Sequence, residues 1–211
     1  VAEKNPADVD DLLKMTLSNS DEVVADAVQE LFLTIRENMK VRRFVRVEGD
    51  VASYIHGAGA VGVLVSFDTD VADKAEFKDM GKNVAMQIAA LNPRFWDKSM
   101  VTAEVLEEEK KIVLAQMDND PKMASKPQQV KENIANGKMN KFYQENCLLQ
   151  QEFVRGDIFQ GSVEKYVADA AKKLGGSVKF VDAVRFQTGE GIEKKQEDFA
   201  AEVAAQMNMG K

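Results

Sequence analysis

The feature that most constrains the fold is a polar, helix-favouring segment in the middle of the chain. From Thr102 onward, glutamates and lysines surround a narrow apolar seam that includes Leu106 and Met117. Such a seam suits one arm of a helical hairpin, because it can cover one neighbouring helix but cannot fill a globular core. The helical pattern breaks near Pro121 and then resumes. We therefore predict an antiparallel helical hairpin over residues 101–146.

The residues before the hairpin predict both strands and a helix. Valines at 41, 45 and 47, on one face interrupted only by Arg43, predict a strand, and a run rich in valine over 60–67 predicts a mostly buried one. An apolar stripe over 77–91 predicts a helix that ends before Pro93. Helices and strands do not alternate regularly enough for a doubly wound parallel sheet. The pattern therefore predicts an α+β fold.

The rest of the chain predicts six further elements. Helix caps, turn glycines and changes of the apolar period mark their limits. In chain order they are a helix opening at Asn5 and Pro6, a helix capped by Ser20, a strand over 148–154, a helix from Ser162 to Gly175, strand segments over 178–186, and an amphipathic helix carrying Phe199.

Charge and composition exclude several classes of function. Thirty-five acidic and 28 basic residues give a net charge of -7, the wrong sign for a protein that binds nucleic acid through clustered lysines and arginines. The longest weakly polar stretch, over 58–67, is short of the about 20 residues that a membrane-spanning helix needs. The single cysteine, Cys147, cannot form an internal disulfide. We expect a cytoplasmic protein without direct contacts to nucleic acid or membrane.

Residues 57–62 match the dinucleotide-binding pattern Gly-x-Gly-x-x-Gly. That pattern binds a pyrophosphate only where it follows a strand and opens a helix. Here the residues before the glycines are loop-like and those after them are strand-like. We interpret the glycines as a turn that leads into a strand, and we expect no cofactor.

His56 is the only histidine, which excludes a zinc site with two histidines and catalysis by a histidine pair. Two alternatives stay open for this residue and for Cys147. They could act as a base and a nucleophile, or His56 could cap its own turn while Cys147 packs as a small buried hydrophobe. The acidic run over 104–109 is interpreted as a solvated helix face, not as a catalytic or metal site.

Several blocks of residues occur in the order and spacing of one known family. They are Arg42-Arg43, Glu48-Gly49-Asp50, residues 54–65, Val-Ala-Met-Gln-Ile-Ala-Ala at 84–90, Gln151-Glu152-Phe153-Val154, Gly-Glu-Gly-Ile-Glu-Lys-Lys at 189–195 and Asp-Phe-Ala-Ala-Glu-Val at 198–203. The sequence resembles the bacterial translation elongation factor Ts family over essentially its whole length, and the C-terminal block is highly specific.

The resemblance implies two small antiparallel-sheet subdomains with packed helices and an inserted helical hairpin. In this division residues 1–50 are the remainder of an N-terminal core subdomain, and 51–100 with 147–188 are the two parts of a C-terminal core subdomain. The hairpin, 101–146, mediates dimer contacts in some members of the family. Residues 189–211 match a C-terminal module.

The resemblance also implies a function. Members of the family are guanine nucleotide exchange factors for elongation factor Tu: they promote GDP release and are not enzymes. The implied partners are elongation factor Tu and, through the hairpin, a second copy of the chain. The alternative function is a structural dimerisation module without exchange activity. A further alternative, an oxidoreductase, would need a helix after Gly62 and would have to bind a nicotinamide cofactor.

Six positions match partner-contact motifs of the family. The Tyr-x-His-Gly turn of the family, whose histidine lies at the partner interface, falls on 54–57. Another contact loop meets the third domain of elongation factor Tu through a residue that matches Val154. A further contact position matches Ile35, and Arg36 after it stands where glycine is common in the family. The implied partner-binding residues are Tyr54, His56, Gly57, Phe153, Val154 and Ile35.

Two parts of the family pattern are not among these 211 residues. One is a ubiquitin-associated-like helical domain, and the other is a Thr-Asp-Phe-Val motif that inserts beside the magnesium site of the GTPase. The sequence begins at Val1 without an initiator methionine or a signal pattern. We expect a piece of a longer protein that docks on elongation factor Tu but exchanges nucleotide poorly by itself.

Overall fold

The computed structural model describes residues 1–192, which form seven α-helices and one three-stranded antiparallel sheet. The α+β class is therefore confirmed; of the two small sheets that the resemblance implies, the described residues contain one. The elements in chain order are α1 (Val9–Lys14), α2 (Val24–Ile35), β1 (Asp50–His56), β2 (Val61–Thr69), α3 (Ala75–Leu91), α4 (Ala103–Asn119), α5 (Pro121–Ala124), α6 (Gln128–Asn146), α7 (Val163–Leu174) and β3 (Val178–Gln187).

The central strand of the sheet is β2, with β1 on one side and β3 on the other. Both neighbours run antiparallel to it: Val63 of β2 pairs with Tyr54 of β1 and with Arg185 of β3. Along β2 every second side chain is buried, which confirms the strand predicted over 60–67. Val65 at its middle is fully shielded from solvent. The core therefore forms on this face of the sheet.

Apolar side chains of α3 and α7 pack in one cluster with the buried face of β2. On α3, Phe77 and Val84 belong to the predicted apolar stripe and are buried. Phe67 of β2 meets Phe77 edge to face, with 5.5 Å between the ring centroids. Burial of each such side chain contributes about 1.5–3 kcal/mol to folding. The predicted cap of α7 is also confirmed, because Ser162 Oγ accepts a hydrogen bond from the N–H of Lys165.

The helix α3 approaches the sheet closely at Gly81. A Cβ atom at this position would lie 2.6 Å from Cβ of Ala52 in β1, which is closer than two non-bonded carbon atoms can approach without repulsion. Glycine is therefore required for this packing of α3 on β1.

The predicted helical hairpin is formed by α4 and α6, with the short α5 at its tip. Thr102 caps α4 through a hydrogen bond that Oγ1 accepts from the N–H of Val105. Near the tip, the buried Lys131 of α6 donates to Asp118 of α4 over 2.6 Å and to the carbonyl oxygen of Ala124 over 2.9 Å. These bonds join the two arms where the chain reverses.

A second apolar cluster, around Phe142 and Cys147, lies at the base of the hairpin. The N–H of Phe95 donates to the carbonyl oxygen of Asn146 there, over 3.0 Å. Cys147 is fully buried, and burial, with a smaller contribution from Asp97, raises the pKa of its thiol. A protonated, buried thiol favours the interpretation of Cys147 as a small packed hydrophobe over that of a nucleophile.

The strand predicted over 41–47 is wrong. The strand β1 was not predicted, because its residues have a loop-like pattern. Residues 39–48 form neither helix nor strand. Side chains hold this segment instead: the Arg43 guanidinium lies 4.2 Å from the centroid of the Phe186 ring and pairs with Glu190. In the described sheet β1 is an edge strand, whose small and polar residues give no clear apolar alternation.

The strand predicted over 148–154 is also wrong. Leu148–Gln150 form a 3-10 turn, and the residues after it have no regular structure apart from an isolated bridge between Glu152 and Ser162. In addition, α1 begins at Val9 with Asp8 as its cap, not at Asn5. The cap predicted at Ser20 is wrong too, because α2 begins at Val24 after Val23 and has no side-chain cap. The helix predicted around Phe199 lies outside the described residues, and the division into subdomains stays a prediction.

Of the helices in residues 1–192, none combines the length and the apolar character that crossing a bilayer requires. Within the same residues, histidine, cysteine, aspartate and glutamate side chains form no cluster of three or more that is suited to a metal ion.

Candidate partner-binding surface

Tyr54 and His56 form a hydrogen-bonded pair at the end of β1. They are two positions apart on one strand, so their side chains lie on the same face of the sheet. Tyr54 Oη is 2.9 Å from Nδ1 of His56, and the ring centroids are 5.9 Å apart. Tyr54 is half-buried and packs against the core, whereas His56 is exposed. The pair therefore presents to solvent an imidazole whose orientation a core-anchored side chain holds.

Gly57 begins the turn that joins β1 to β2. Gly57 has a φ of +59° and Gly59 a φ of +99°, both in the left-handed region that favours glycine. The chain then continues into β2, which agrees with a turn that leads into a strand. Within the described part of the chain, His56 makes no side-chain hydrogen bond that caps this turn. The capping role considered for His56 is therefore wrong, and its partner is Tyr54.

Phe153 and Val154 are neighbours in opposite environments. Phe153 is buried and stacks on the Tyr166 ring of α7, with 4.0 Å between the ring centroids. Val154 is 43% exposed. Val154 can therefore contact a partner directly, whereas Phe153 supports the segment from beneath.

A charged pair follows Val154. The Nε and Nη2 atoms of Arg155 donate to the two carboxylate oxygens of Asp157 over 2.9 and 2.7 Å. These hydrogen bonds hold the pKa of the Asp157 carboxyl below its usual value and raise the pKa of the Arg155 guanidinium. The bidentate geometry orders the turn after Val154, although an exposed pair of this kind contributes little to stability.

Ile35 is the last residue of α2 and is 50% exposed. Arg36 follows in the left-handed region, with a φ of 60°, and its N–H donates to the carbonyl oxygen of Phe32 over 2.8 Å. This conformation gives a physical reason for a glycine at the matching position of the family, because glycine adopts it without steric cost. Leu31 and Leu33 of α2 are also exposed.

The helix α3 supports both β1 and the Val154 segment. It packs on β1 at Gly81, and the side chain of Gln87 accepts a hydrogen bond from the N–H of Val154 over 2.8 Å. Gln87 is not among the residues predicted for the site. A signal was present, since Gln87 falls on the apolar stripe of α3 beside Ile88, and a polar residue at such a position needs a buried partner.

A cleft of about 820 Å³ lies between α3 and α7. Met80, Asn83 and Tyr166 are among the residues that line it, and the six predicted contact residues are not. The Asn83 amide donates to the Tyr166 hydroxyl over 2.9 Å, and burial raises the pKa of that phenol. The six predicted contact positions thus lie outside this cleft.

These observations define an α+β protein with an inserted helical hairpin and with candidate contact residues at a strand end, a loop and a helix end. The family model described as Elongation factor TS matches residues 1–190. The chain belongs to that family, which is a family of translation elongation factors.

Individual relatives agree with the family model. Elongation factor Ts of a Nitratiruptor species is 42% identical over 212 residues, which cover 98% of this chain and 67% of the relative. Elongation factor Ts of Clostridium botulinum is 39% identical over 198 residues, with 92% and 62% covered. Elongation factor Ts of Syntrophotalea carbinolica is 40% identical over 208 residues, with 97% and 67% covered. The chain spans about two thirds of the length of these curated relatives.

Proposed function

We propose that this chain binds elongation factor Tu and promotes GDP release by stabilising the nucleotide-free form of that GTPase. The family match over residues 1–190 carries the proposal. Two exposed residues, His56 and Val154, support it, because hydrogen bonds hold both before any partner binds. Contacts that are already ordered lose little conformational entropy on association.

Exchange by this route requires no catalytic residue. A protein that binds the empty GTPase more tightly than the GDP-bound form shifts the population toward the empty form, whereas equal affinity for both shifts nothing. The coupling is reciprocal, so GDP must weaken the binding of this chain by the same factor. We expect a complex that forms without nucleotide and dissociates in excess GDP.

Calorimetric titration against nucleotide-free and GDP-loaded elongation factor Tu tests the proposal. A preference of tenfold or more for the empty form, about 1.4 kcal/mol, supports it. Equal affinities refute it.

The residue assignment needs its own test. His56→Ala and Val154→Asp should each weaken binding to nucleotide-free elongation factor Tu about tenfold or more, while the melting temperature stays unchanged. Val181→Asp is the matched control, since Val181 is an exposed valine, 55% accessible, on β3. Unchanged affinity in both site variants would remove these residues from the interface.

The rate of exchange is a separate question, because the Thr-Asp-Phe-Val motif is not among these 211 residues. We expect the chain to bind elongation factor Tu but to accelerate GDP release only weakly. Stopped-flow measurement with fluorescent GDP checks this expectation. Acceleration equal to that of a relative that carries the motif would contradict it.

A second candidate function is self-association through the hairpin. Ile112 of α4 and Val130 of α6 are apolar and exposed, 51% and 39%, and a second copy of the hairpin could cover them. Sedimentation equilibrium of the chain and of Ile112→Lys tests this candidate. A dimer that the substitution dissociates, with the affinity for elongation factor Tu retained, would separate the two roles; a monomeric parent chain would eliminate the second.

A further inference from the structure

We infer that Gln87 of α3 is a positioning residue, which holds the backbone on both sides of Phe153 and thereby sets where Val154 lies on the surface. The inference rests on the proposed binding through Val154. Gln87 is completely buried. Buried polar side chains are nearly always hydrogen-bonded, so the partners of this carboxamide indicate what it does.

The carboxamide of Gln87 pairs with two peptide groups of the irregular segment. Its Nε2 donates to the carbonyl oxygen of Glu152 over 3.0 Å, and its Oε1 accepts from the N–H of Val154 over 2.8 Å. A residue on a neighbouring parallel strand would bond in the same way to the carbonyl before Phe153 and the N–H after it. The side chain of Gln87 thus takes the place of a strand neighbour for a segment outside the sheet.

These two bonds act together with a backbone bond, from the N–H of Phe153 to the carbonyl oxygen of Gly161 over 2.9 Å, to hold the segment with Phe153 toward the core. In extended backbone, successive side chains point to opposite sides. With the peptide groups around Phe153 held by Gln87, the Phe153 ring points inward and stacks on Tyr166, and Val154 points outward. Release of the backbone would allow the segment to rotate and would remove Val154 from its present position.

A second buried amide accepts the remaining hydrogen of the first. Gln87 Nε2 also donates to Oε1 of Gln151 over 3.1 Å, and Gln151 Nε2 donates to the carbonyl oxygen of Glu145 in α6 over 3.0 Å. Both hydrogens on Nε2 of Gln87 and its oxygen are therefore used. A flipped carboxamide would place its NH₂ group against the N–H of Val154. Donation runs in one direction, from the N–H of Val154 through the amides of Gln87 and Gln151 to the carbonyl oxygen of Glu145 at the base of the hairpin.

The primary variant is Gln87→Met, which keeps a long side chain in the core and removes all three hydrogen bonds. Gln151→Met is the matched control, because it also removes a buried amide but leaves the bonds from Gln87 to Glu152 and Val154. Two readouts separate positioning from general destabilisation. They are hydrogen exchange at the Val154 amide relative to the amides of β2, and a double-mutant cycle with Val154→Ala for affinity to nucleotide-free elongation factor Tu.

We expect Gln87→Met to raise exchange at the Val154 amide at least about tenfold relative to β2, and Gln151→Met to leave that ratio unchanged. Val154→Ala should weaken binding in the parent chain but change it less than about twofold in the Gln87→Met background. In the unmodified chain, NMR should detect a scalar coupling across the hydrogen bond between the Val154 N–H and the Gln87 side-chain carbonyl. This measurement does not depend on whether a variant folds.

The outcomes distinguish a failure of this inference from a failure of the proposed binding through Val154. An unchanged exchange ratio in Gln87→Met, or an absent coupling across the hydrogen bond, overturns the positioning role and leaves binding through Val154 intact. Affinity losses that simply add in the double variant also overturn it, because independent effects add. If exchange rises but Val154→Ala does not alter affinity in the parent chain, the docking assignment of Val154 fails, and the positioning role in binding fails with it.

Discussion

Two of the exposed candidate contact positions, His56 and Val154, are held by different kinds of structure. His56 ends a strand whose backbone is paired with β2, and its own register partner is Val61. Val154 lies in an irregular segment in which its own N–H bonds to the side chain of Gln87, while the N–H of neighbouring Phe153 bonds to the carbonyl oxygen of Gly161. Strand pairing is repeated at successive residues and requires no particular side chain. Single substitutions should therefore disturb Val154 more easily than His56.

The largest expected effect is on the Val154 side. Phe153→Ala removes a buried, stacked ring and should lower the free energy of unfolding by about 3–5 kcal/mol. The neighbouring substitution Val154→Ala, at an exposed position, should change it by no more than about 0.5 kcal/mol. Urea unfolding of both variants measures the contrast. Equal losses would contradict the placement of Phe153 in the core beneath an exposed Val154.

On the His56 side, the vulnerable point is the packing under β1. Gly81→Ala brings a Cβ against Ala52 and should cost about 1–3 kcal/mol of stability. Gly137→Ala is the control, because Gly137 is also inside a helix but has open space around it. It should stabilise the chain by about 0.5–1 kcal/mol. Denaturant unfolding should give opposite signs, and a stabilising Gly81→Ala would disprove the close approach.

The next effect concerns the ring beneath Phe153. Burial raises the pKa of Tyr166 above 10.0. A group whose folded pKa is raised contributes stability that is complete below its unfolded pKa and is lost as the pH rises through the folded value. Tyr166→Phe removes the hydrogen bond from Asn83 and should lower the free energy of unfolding by about 1 kcal/mol at pH 8. As the pH rises further, the free energy of unfolding of the variant should fall less than that of the parent chain.

Urea midpoints between about pH 8 and 11 measure this difference. Cys147, whose pKa burial also raises, contributes to the alkaline loss in both proteins and cancels in the comparison. An identical alkaline loss in the variant and the parent chain would exclude Tyr166 as its source.

The smallest expected change in stability tests how His56 is held. Tyr54→Phe removes the hydrogen bond to Nδ1 and should change the free energy of unfolding by no more than about 0.5 kcal/mol, because His56 is exposed. Affinity for elongation factor Tu should fall about threefold to tenfold. The imidazole resonances of the only histidine report the loss directly. Tyr143→Phe, a half-buried tyrosine on α6, is the control and should change neither.

The elements that the sequence predicted correctly are those in which one local pattern decides the structure. The strand β2 has an unbroken buried alternation, and α7 lies between a serine cap and Gly175, whose φ of 69° ends it. The two wrong strands share one cause. The apolar residues over 41–47 and 148–154 are compatible with an extended chain, but they carry no information on whether a neighbouring strand is available.

The candidate site was predictable to a lesser degree. The resemblance supplied six candidate contact positions but did not distinguish the buried Phe153 from the exposed Val154. The resemblance also gave no physical reason for the pairing of Tyr54 with His56. The hydrogen bond between their side chains is that reason. Gln87 stood in a matched block, yet its partners are not neighbours in the sequence.

The α+β class, the helical hairpin and the family could be predicted from the amino-acid sequence, because periodicity, helix caps and ordered motifs are properties of the chain taken locally or in order. The contact of Gln87 with Val154, 67 residues further along, and that of Gly81 with Ala52 became visible in the folded chain. These contacts depend on how α3 packs against the sheet and against the segment that contains Val154. That geometry follows from packing the whole core at once, and no local pattern records it.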